Sequence, residues 1–244
     1  MATKSKIEWT EMTWNPVTGC TKVSTGCKNC YAERMAKRLK AMGVERYRNE
    51  FNVTLQPDLL DVPLMWKQPR MIFVNSMSDL FHEEIPIQYI KRVFEIMVRC
   101  PHHTFQILTK RGKRLNEISS QLLWSKNIWM GVTIENENVL PRIFDLKKVP
   151  ASIRFLSCEP LIGPINNLPL NGIHWVIVGG ESGPKARPMR AEWVESILRQ
   201  CRGAKIPFFF KQWGGVRKDL TGRLIRGRTY DNMPIRLSKA KLVA

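Results

Sequence analysis

From residue 71 onward the chain alternates short, continuously apolar runs with segments whose apolar residues fall at helical spacing. The runs are Met71–Asn75, Thr104–Thr109, Ile128–Thr133, Ile153–Ser157, His174–Val178 and Ile206–Phe210. Runs this apolar predict strands covered on both faces, as in a parallel sheet. The covering helices are predicted near 86–99, 112–124, 137–147 and 190–203. Between 159 and 173, Pro160, Gly163, Pro164 and Pro169 leave room only for loops or a short turn.

Upstream, a strand-like run at Thr13–Val17 precedes a helix over Tyr31–Met42, with Met35, Leu39 and Met42 as its apolar positions and Gly43 as its stop. Residues 44–70, which hold Pro57, Pro63 and Pro69, read as an irregular excursion. Strand and helix thus alternate, which predicts an α/β fold: a partial (β/α) barrel of six to seven parallel strands. No GxGxxG follows the first strand and no P-loop occurs, so the commonest nucleotide-binding sheets lose support. The expected organisation is an N-terminal arm at 1–12, a barrel domain at 13–234 and a tail at 235–244.

Charge narrows the partners. The 244 residues carry 39 Lys+Arg against 21 Asp+Glu, a formal net charge of +18. That excess favours a polyanionic partner, DNA or RNA, although a solvated basic surface accounts equally well for any one cluster such as Lys110–Arg114. No run approaches the roughly 20 apolar residues of a membrane span, and the N-terminus has no apolar signal core. A cytoplasmic protein with no membrane association is expected. There, six cysteines point to metal binding or free thiols rather than disulfides.

Three of the cysteines, Cys20, Cys27 and Cys30, fall in the short stretch GCTKVSTGCKNCY. Three thiolates on a loop loosened by Gly19 and Gly26 suit one soft metal or three irons of a 4Fe-4S cluster. A structural zinc site normally closes with four protein ligands. His82, Cys100, His102 and His103 are all distant in sequence, which favours a cluster with one open iron. A long-range zinc site and a trio of reduced thiols stay open as alternatives. Cys158, at a strand end, is the fourth ligand to watch, and it is otherwise expected to line the barrel.

In parallel barrels the chemistry collects on the loops that follow the strands. Here those loops carry Ser76, Ser78 and Asp79; Lys110 and Arg111; Glu135 and Asn136; Glu159; Gly179, Gly180 and Glu181; and Lys211, Gln212 and Trp213. With the cysteine loop they would form one rim, although each has an ordinary alternative as a loop or surface residue. The two glycines before Glu181 permit close approach of a ligand, and its carboxylate can accept from an ammonium or a ribose hydroxyl. His82, His102, His103 and His174 share no motif and read as structural.

The successive stretches TWNPVTGC, GCKNCY, NSMSDLFH, ILTKR, GVTIENE, LSCEPLIGPI, VIVGGESGPKARPM, PFFFKQWG and GRTYDNMP span nearly the whole chain. Together they resemble the phage- and prophage-associated three-cysteine family, which is similar to radical S-adenosylmethionine (radical SAM) proteins and has no firmly assigned function. The resemblance implies a 4Fe-4S cluster on Cys20, Cys27 and Cys30 whose fourth iron chelates S-adenosyl-L-methionine. It implies reductive cleavage of that cofactor to a 5'-deoxyadenosyl radical, which abstracts hydrogen from a substrate in the barrel mouth. Tyr31 is then a cofactor candidate beside the cluster, Ser76, Ser78 and Asp79 are candidates for the amino group, and Glu135, Asn136 and Glu159 for the ribose. Lys110, Arg111, Gly179, Gly180, Glu181, Lys211, Gln212 and Trp213 are left for the substrate.

The chain departs from the usual radical SAM pattern. Six residues separate Cys20 from Cys27, Asn29 rather than an aromatic precedes Cys30, and Gly-Gly-Glu follows the sixth strand instead of the second. The function expected is a radical SAM enzyme that repairs or modifies nucleic acid or a nucleotide. The alternatives are a non-catalytic, zinc-stabilised nucleic-acid-binding protein, or a radical SAM enzyme acting on a peptide or protein partner.

Overall fold

The computed structural model describes residues 3–5 and 7–234, so the expected tail lies outside the described residues. The strands are β1 (Thr3–Lys4), β2 (Met12–Trp14), β3 (Val17–Thr18), β4 (Thr54–Leu55), β5 (Met71–Val74), β6 (Thr104–Thr109), β7 (Ile128–Thr133), β8 (Ile153–Cys158), β9 (Trp175–Gly179) and β10 (Phe208–Gln212). The helices are α1 (Tyr31–Ala41), α2 (Ile87–Arg99), α3 (Gly112–Ile118), α4 (Pro141–Lys147), α5 (Ala191–Gly203) and α6 (Lys218–Thr221).

The main sheet runs β1-β2-β5-β6-β7-β8-β9-β10. From β2 onward every pairing in it is parallel, and each strand lies beside its predecessor. A doubly wound sheet reverses its order at a switch point, and this one never does. The seven parallel strands therefore wind in one sense into a half-barrel. Short β1 pairs antiparallel with β2, so the segment expected as an arm begins as an edge strand. At the other edge, Phe210 N donates to Tyr230 O at 2.8 Å. One margin of the open sheet thus ends in a two-residue strand and the other is covered by the 230–231 segment, two ways of limiting pairing with other chains.

The run expected at Thr13–Val17 breaks in two. Pro16 has no N–H to offer a ladder, and Val17–Thr18 turns away to pair antiparallel with Thr54–Leu55. The proline-rich excursion consequently returns to brace the cysteine loop. The sheet's two faces hold separate cores. Ile72, Val74, Ile107, Met130, Leu156, Val176 and Val178 face outward onto Phe94 and Met97 of α2 and Ile197 of α5. Residues of the other parity, Met71, Phe73, Trp129, Phe155, Trp175 and Phe209, fill the concave side with Trp9. The Trp9 ring centroid lies 4.7 Å from that of Phe73 and 6.3 Å from that of Trp175, so the N-terminal segment plugs the half-barrel.

Helix α1 corrects one expectation. It buries Ala32 and Ala36, with Leu39 packed alongside, against Tyr47 and Met77, while Met35 and Met42 are exposed. Small side chains let the helix lie close to its neighbours, and that proximity outweighs the bulk of the two methionines.

Candidate functional site

The cysteine loop leaves β3 at Gly19, whose φ of +82° and 2.1 Å clearance between an added Cβ and Asn52 O admit only glycine. Gly19 N donates to Met77 O and Cys20 N to Phe51 O, both at 3.0 Å. Cys27 closes a single helical turn, and Cys30 precedes α1 as its N-cap residue. Beneath the turn, Gly26 rests on the Glu135 carboxylate, where a Cβ would meet Cγ and Oε1 at 2.4 Å. Glu135 is fully buried, accepting from Ser24 Oγ at 2.5 Å and from Arg142 Nη1 at 2.8 Å. It supports the loop from below instead of facing the mouth. Asn136 is likewise occupied elsewhere: its Oδ1 accepts from Asn138 N.

Two further braces hold the loop from the sides. Arg111 Nη1 lies 3.5 Å from Cys20 Sγ and 3.3 Å from Asp79 Oδ2, Nη2 donates to Thr21, and Nε donates to Glu83. His82 Nε2 is 2.7 Å from Thr21 Oγ1. On the opposite side, Glu181 Oε2 accepts from Asn29 Nδ2 at 2.8 Å and from Arg187 N and Nε, while Oε1 accepts from Arg187 Nη2 at 2.5 Å. Arg187 Nη1 reaches Thr25 O, and Arg34 bridges Asn29 O and Ser182 O. Glu181 is thus a clasp between the cysteine loop and the loop after β9. Burial opposes its charge, but the bonds from Arg187 and Asn29 hold its carboxyl below the ordinary range. Burial and then Asp79 push the Cys20 thiol up to about 11 against the pull of Arg111.

The remaining strand-end residues divide between scaffold and cavity. Asp79 is saturated, accepting from Phe81 N, Thr109 Oγ1, Lys110 N and Arg111. Ser76 Oγ donates to Asn15, Ser78 Oγ donates to Val17 O, and Tyr31 OH donates to Ser76 O. Glu159 Oε2 accepts from Lys211 Nζ at 2.7 Å and Oε1 from Ser157 Oγ at 3.3 Å. Burial works against the Lys211 charge, yet the attraction of Glu159 leaves its pKa raised. Gln212 Nε2 donates to Ser182 Oγ, and Gly180 N donates to Gln212 O. Gly179 and Trp213 lie outside the cavity, with Trp213 edge-on to Phe210 and bonded to Leu224 O.

A cavity of about 420 Å³ opens where these loops converge. Cys20, Cys27 and Cys30 line it together with Tyr31, Ser76, Ser78, Asp79, Lys110, Arg111, Glu159, Gly180, Glu181, Lys211 and Gln212. Asn75, Thr133 and Ser157, strand-end residues of the expected rim that were given no role, line it too, and sequence reasoning missed Glu8 and Trp9. Four buried polar atoms in this wall have no hydrogen-bond partner: Trp9 Nε1, Asn75 Nδ2, Thr133 Oγ1 and Gln212 Oε1. Buried polar groups are rarely left unpaired, so four such atoms on residues that line one cavity mark it as a candidate site for a polar ligand. Cys158 does not line the cavity that the three cysteines share; it is buried in the outer core. Among the described residues no group of three cysteine, histidine or carboxylate side chains is arranged to hold a metal ion.

The cavity lies at the C-terminal ends of the parallel strands of a half-barrel. Two solved structures share this fold: spore photoproduct lyase complexed with dinucleoside spore photoproduct, and a doubly substituted mutant of that lyase with bound AdoMet and the same dinucleoside. Each superposes with a TM-score of 0.51 at 11% identity, covering 82% of this chain and 63% of the lyase chain, so the likeness is one of fold. This chain therefore spans less than two thirds of the length of those lyases. By sequence, the chain belongs to the family described as protein of unknown function (DUF5131), whose model matches residues 4–234. No curated protein matches it. Among the described residues no helix is long and apolar enough to cross a membrane.

Proposed function

We propose that the protein is a radical SAM enzyme that acts on nucleic acid or a nucleotide. The observation that carries this reading is that one cavity is shared by three free cysteines and four unpartnered buried polar atoms. Cys20, Cys27 and Cys30 would hold a 4Fe-4S cluster, and S-adenosyl-L-methionine would occupy the cavity beside it. Three thiols line the cavity and, among the described residues, no fourth cysteine or histidine does; by type this donor set would leave one iron open, whereas a structural zinc would lack a ligand. When bound, the pair supplies one-electron chemistry that ends in removal of a hydrogen atom from a substrate.

The chain's own residues bind, orient and shield. Arg111, His82, Glu135 and Glu181 fix the cysteine loop against four separate elements. Asn75, Thr133, Gln212 and Trp9 line the cavity and would offer donors and acceptors to the polar groups of the cofactor. The aromatic plug of Trp9, Phe73 and Trp175 keeps water from entering behind it. Three reduced thiols suit a cytoplasmic setting. The net charge of +18 favours a polyanionic substrate over a peptide.

The test is iron, sulfide and zinc content of anaerobically reconstituted protein, followed by dithionite and S-adenosyl-L-methionine with detection of 5'-deoxyadenosine. About four irons per chain with cofactor cleavage is the expected result. Stoichiometric zinc, no iron uptake and no cleavage would sink the reading in favour of a binding protein.

A further inference from the structure

We propose that the cavity mouth is a landing surface for single-stranded nucleic acid, with backbone phosphates held by Lys28, Lys110 and Lys185 and one unstacked nucleotide entering the cavity. The inference rests on the preceding reading for what becomes of that nucleotide, but not for its binding. Every carboxylate that lines the cavity is engaged within the protein. Asp79 is held by Arg111, Glu159 by Lys211 and Glu181 by Arg187, and Glu8 also has a partner. Three cations around the same mouth have no such counter-charge among the described residues. Lys110 lines the cavity directly. Lys28 is exposed between Cys27 and Cys30, and exposed Lys185 offers its carbonyl to Asn29 on the same loop. Arg34 adds a guanidinium spent only on the carbonyls of Asn29 and Ser182.

Lysines without counter-charge, set on different loops around one opening, are what a phosphate backbone needs for positioning without sequence readout. The size of the cavity decides the rest. At about 420 Å³ it accepts small-ligand volumes, and no stacked duplex can bring a base to atoms inside it. The nucleotide must therefore be single-stranded or extruded.

The total charge could produce binding anywhere, because the opposite edge of the sheet is also basic. Lys67, Lys126 and Lys148, exposed just before β5, β7 and β8, provide a control of equal charge. The experiment is fluorescence anisotropy with a labelled single-stranded oligonucleotide, as DNA and as RNA, and with the matching blunt duplex. It uses metal-free full-length protein between 50 and 200 mM salt, with folding checked by circular dichroism. The triple variant Lys28→Ala/Lys110→Ala/Lys185→Ala is expected to weaken single-strand binding roughly 10- to 100-fold and to lower the log–log salt slope by about 2. The control Lys67→Ala/Lys126→Ala/Lys148→Ala should retain the slope. Equal losses in both variants, preference for the duplex, or no binding by the parent protein would overturn the proposal. Because the assay needs no cluster, binding without iron uptake would defeat the enzymatic reading alone, and iron uptake without binding would defeat only this one.

Discussion

On its outer face, the sheet carries Ile72, Val74, Met130, Leu156 and Val176 packed under helices; on its inner face, the same strands pass from Trp129, Phe155 and Trp175 to Thr133, Ser157 and Glu159. One residue's shift in parity separates an apolar contact from a cavity wall. The cysteines divide the same way. Cys20, Cys27 and Cys30 line the cavity, whereas Cys100, Cys158 and Cys201 are buried in the outer core, where burial pushes Cys201 up to about 12. A strand thus serves the core with one set of side chains and lines the cavity with the other, and the two should be separable by mutation.

The widest separation is between cysteines. Cys27→Ala should reduce iron uptake to background, whereas Cys201→Ala should keep it and cost about 1–2 kcal/mol of stability. Equal iron loss from both would erase the distinction. Next, Phe94→Ala on the outer side should cost about 3–5 kcal/mol in denaturant unfolding, against about 1 kcal/mol or less for Ser157→Ala on the inner side.

Glu181 tests whether the inner site has structural supports of its own. Glu181→Ala should cost about 2–3 kcal/mol and speed alkylation of Cys27 and Cys30 in the metal-free protein, because Asn29 and Arg187 lose their shared acceptor. Its carboxyl is depressed in the fold, so its contribution is present above the ordinary carboxylate pKa and fades as pH falls through the folded value. A variant whose thiols react no faster would show that the clasp does not hold the loop. The smallest effect belongs to His103, buried beneath the sheet and accepting from Arg70 N. Burial lowers its pKa below 6.5, so the neutral ring's contribution is complete above 6.5 and is lost as pH falls toward the folded value. His103→Gln should flatten that acid-side decline in melting temperature.

Most of the fold was legible because strand runs and helix periods are local signals. The parallel strands from β5 onward lie within two residues of where apolarity predicts them, and the proline-rich 159–173 link contains no helix. Strand-end position also brought the three cysteines, Lys110, Glu159, Lys211 and Gln212 to one cavity. What escaped depends on tertiary distance. Nothing local says that Glu135 lies under Gly26, or that Glu181 grips Asn29 instead of a ligand. Cys158 is different, since its placement could have been read by parity: it shares the outward phase of Leu156, while Ser157 and Glu159 point inward. The buried Trp9 had one signal, an indole in an otherwise polar stretch ahead of a second at Trp14.

The clasp also bears on how the site comes into being. Asn29 and Glu181 are 152 residues apart, and Ser24 is 111 residues from Glu135. Synthesis proceeds from the N-terminus, so the thiols leave the ribosome long before most of the residues that fix their loop. A nascent chain that stops short of Glu181 therefore carries the three cysteines without the clasp on Asn29, more open to oxidation or to capture by the wrong ion. Insertion of the proposed cluster would, on this geometry, belong after translation of the loop that carries Glu181.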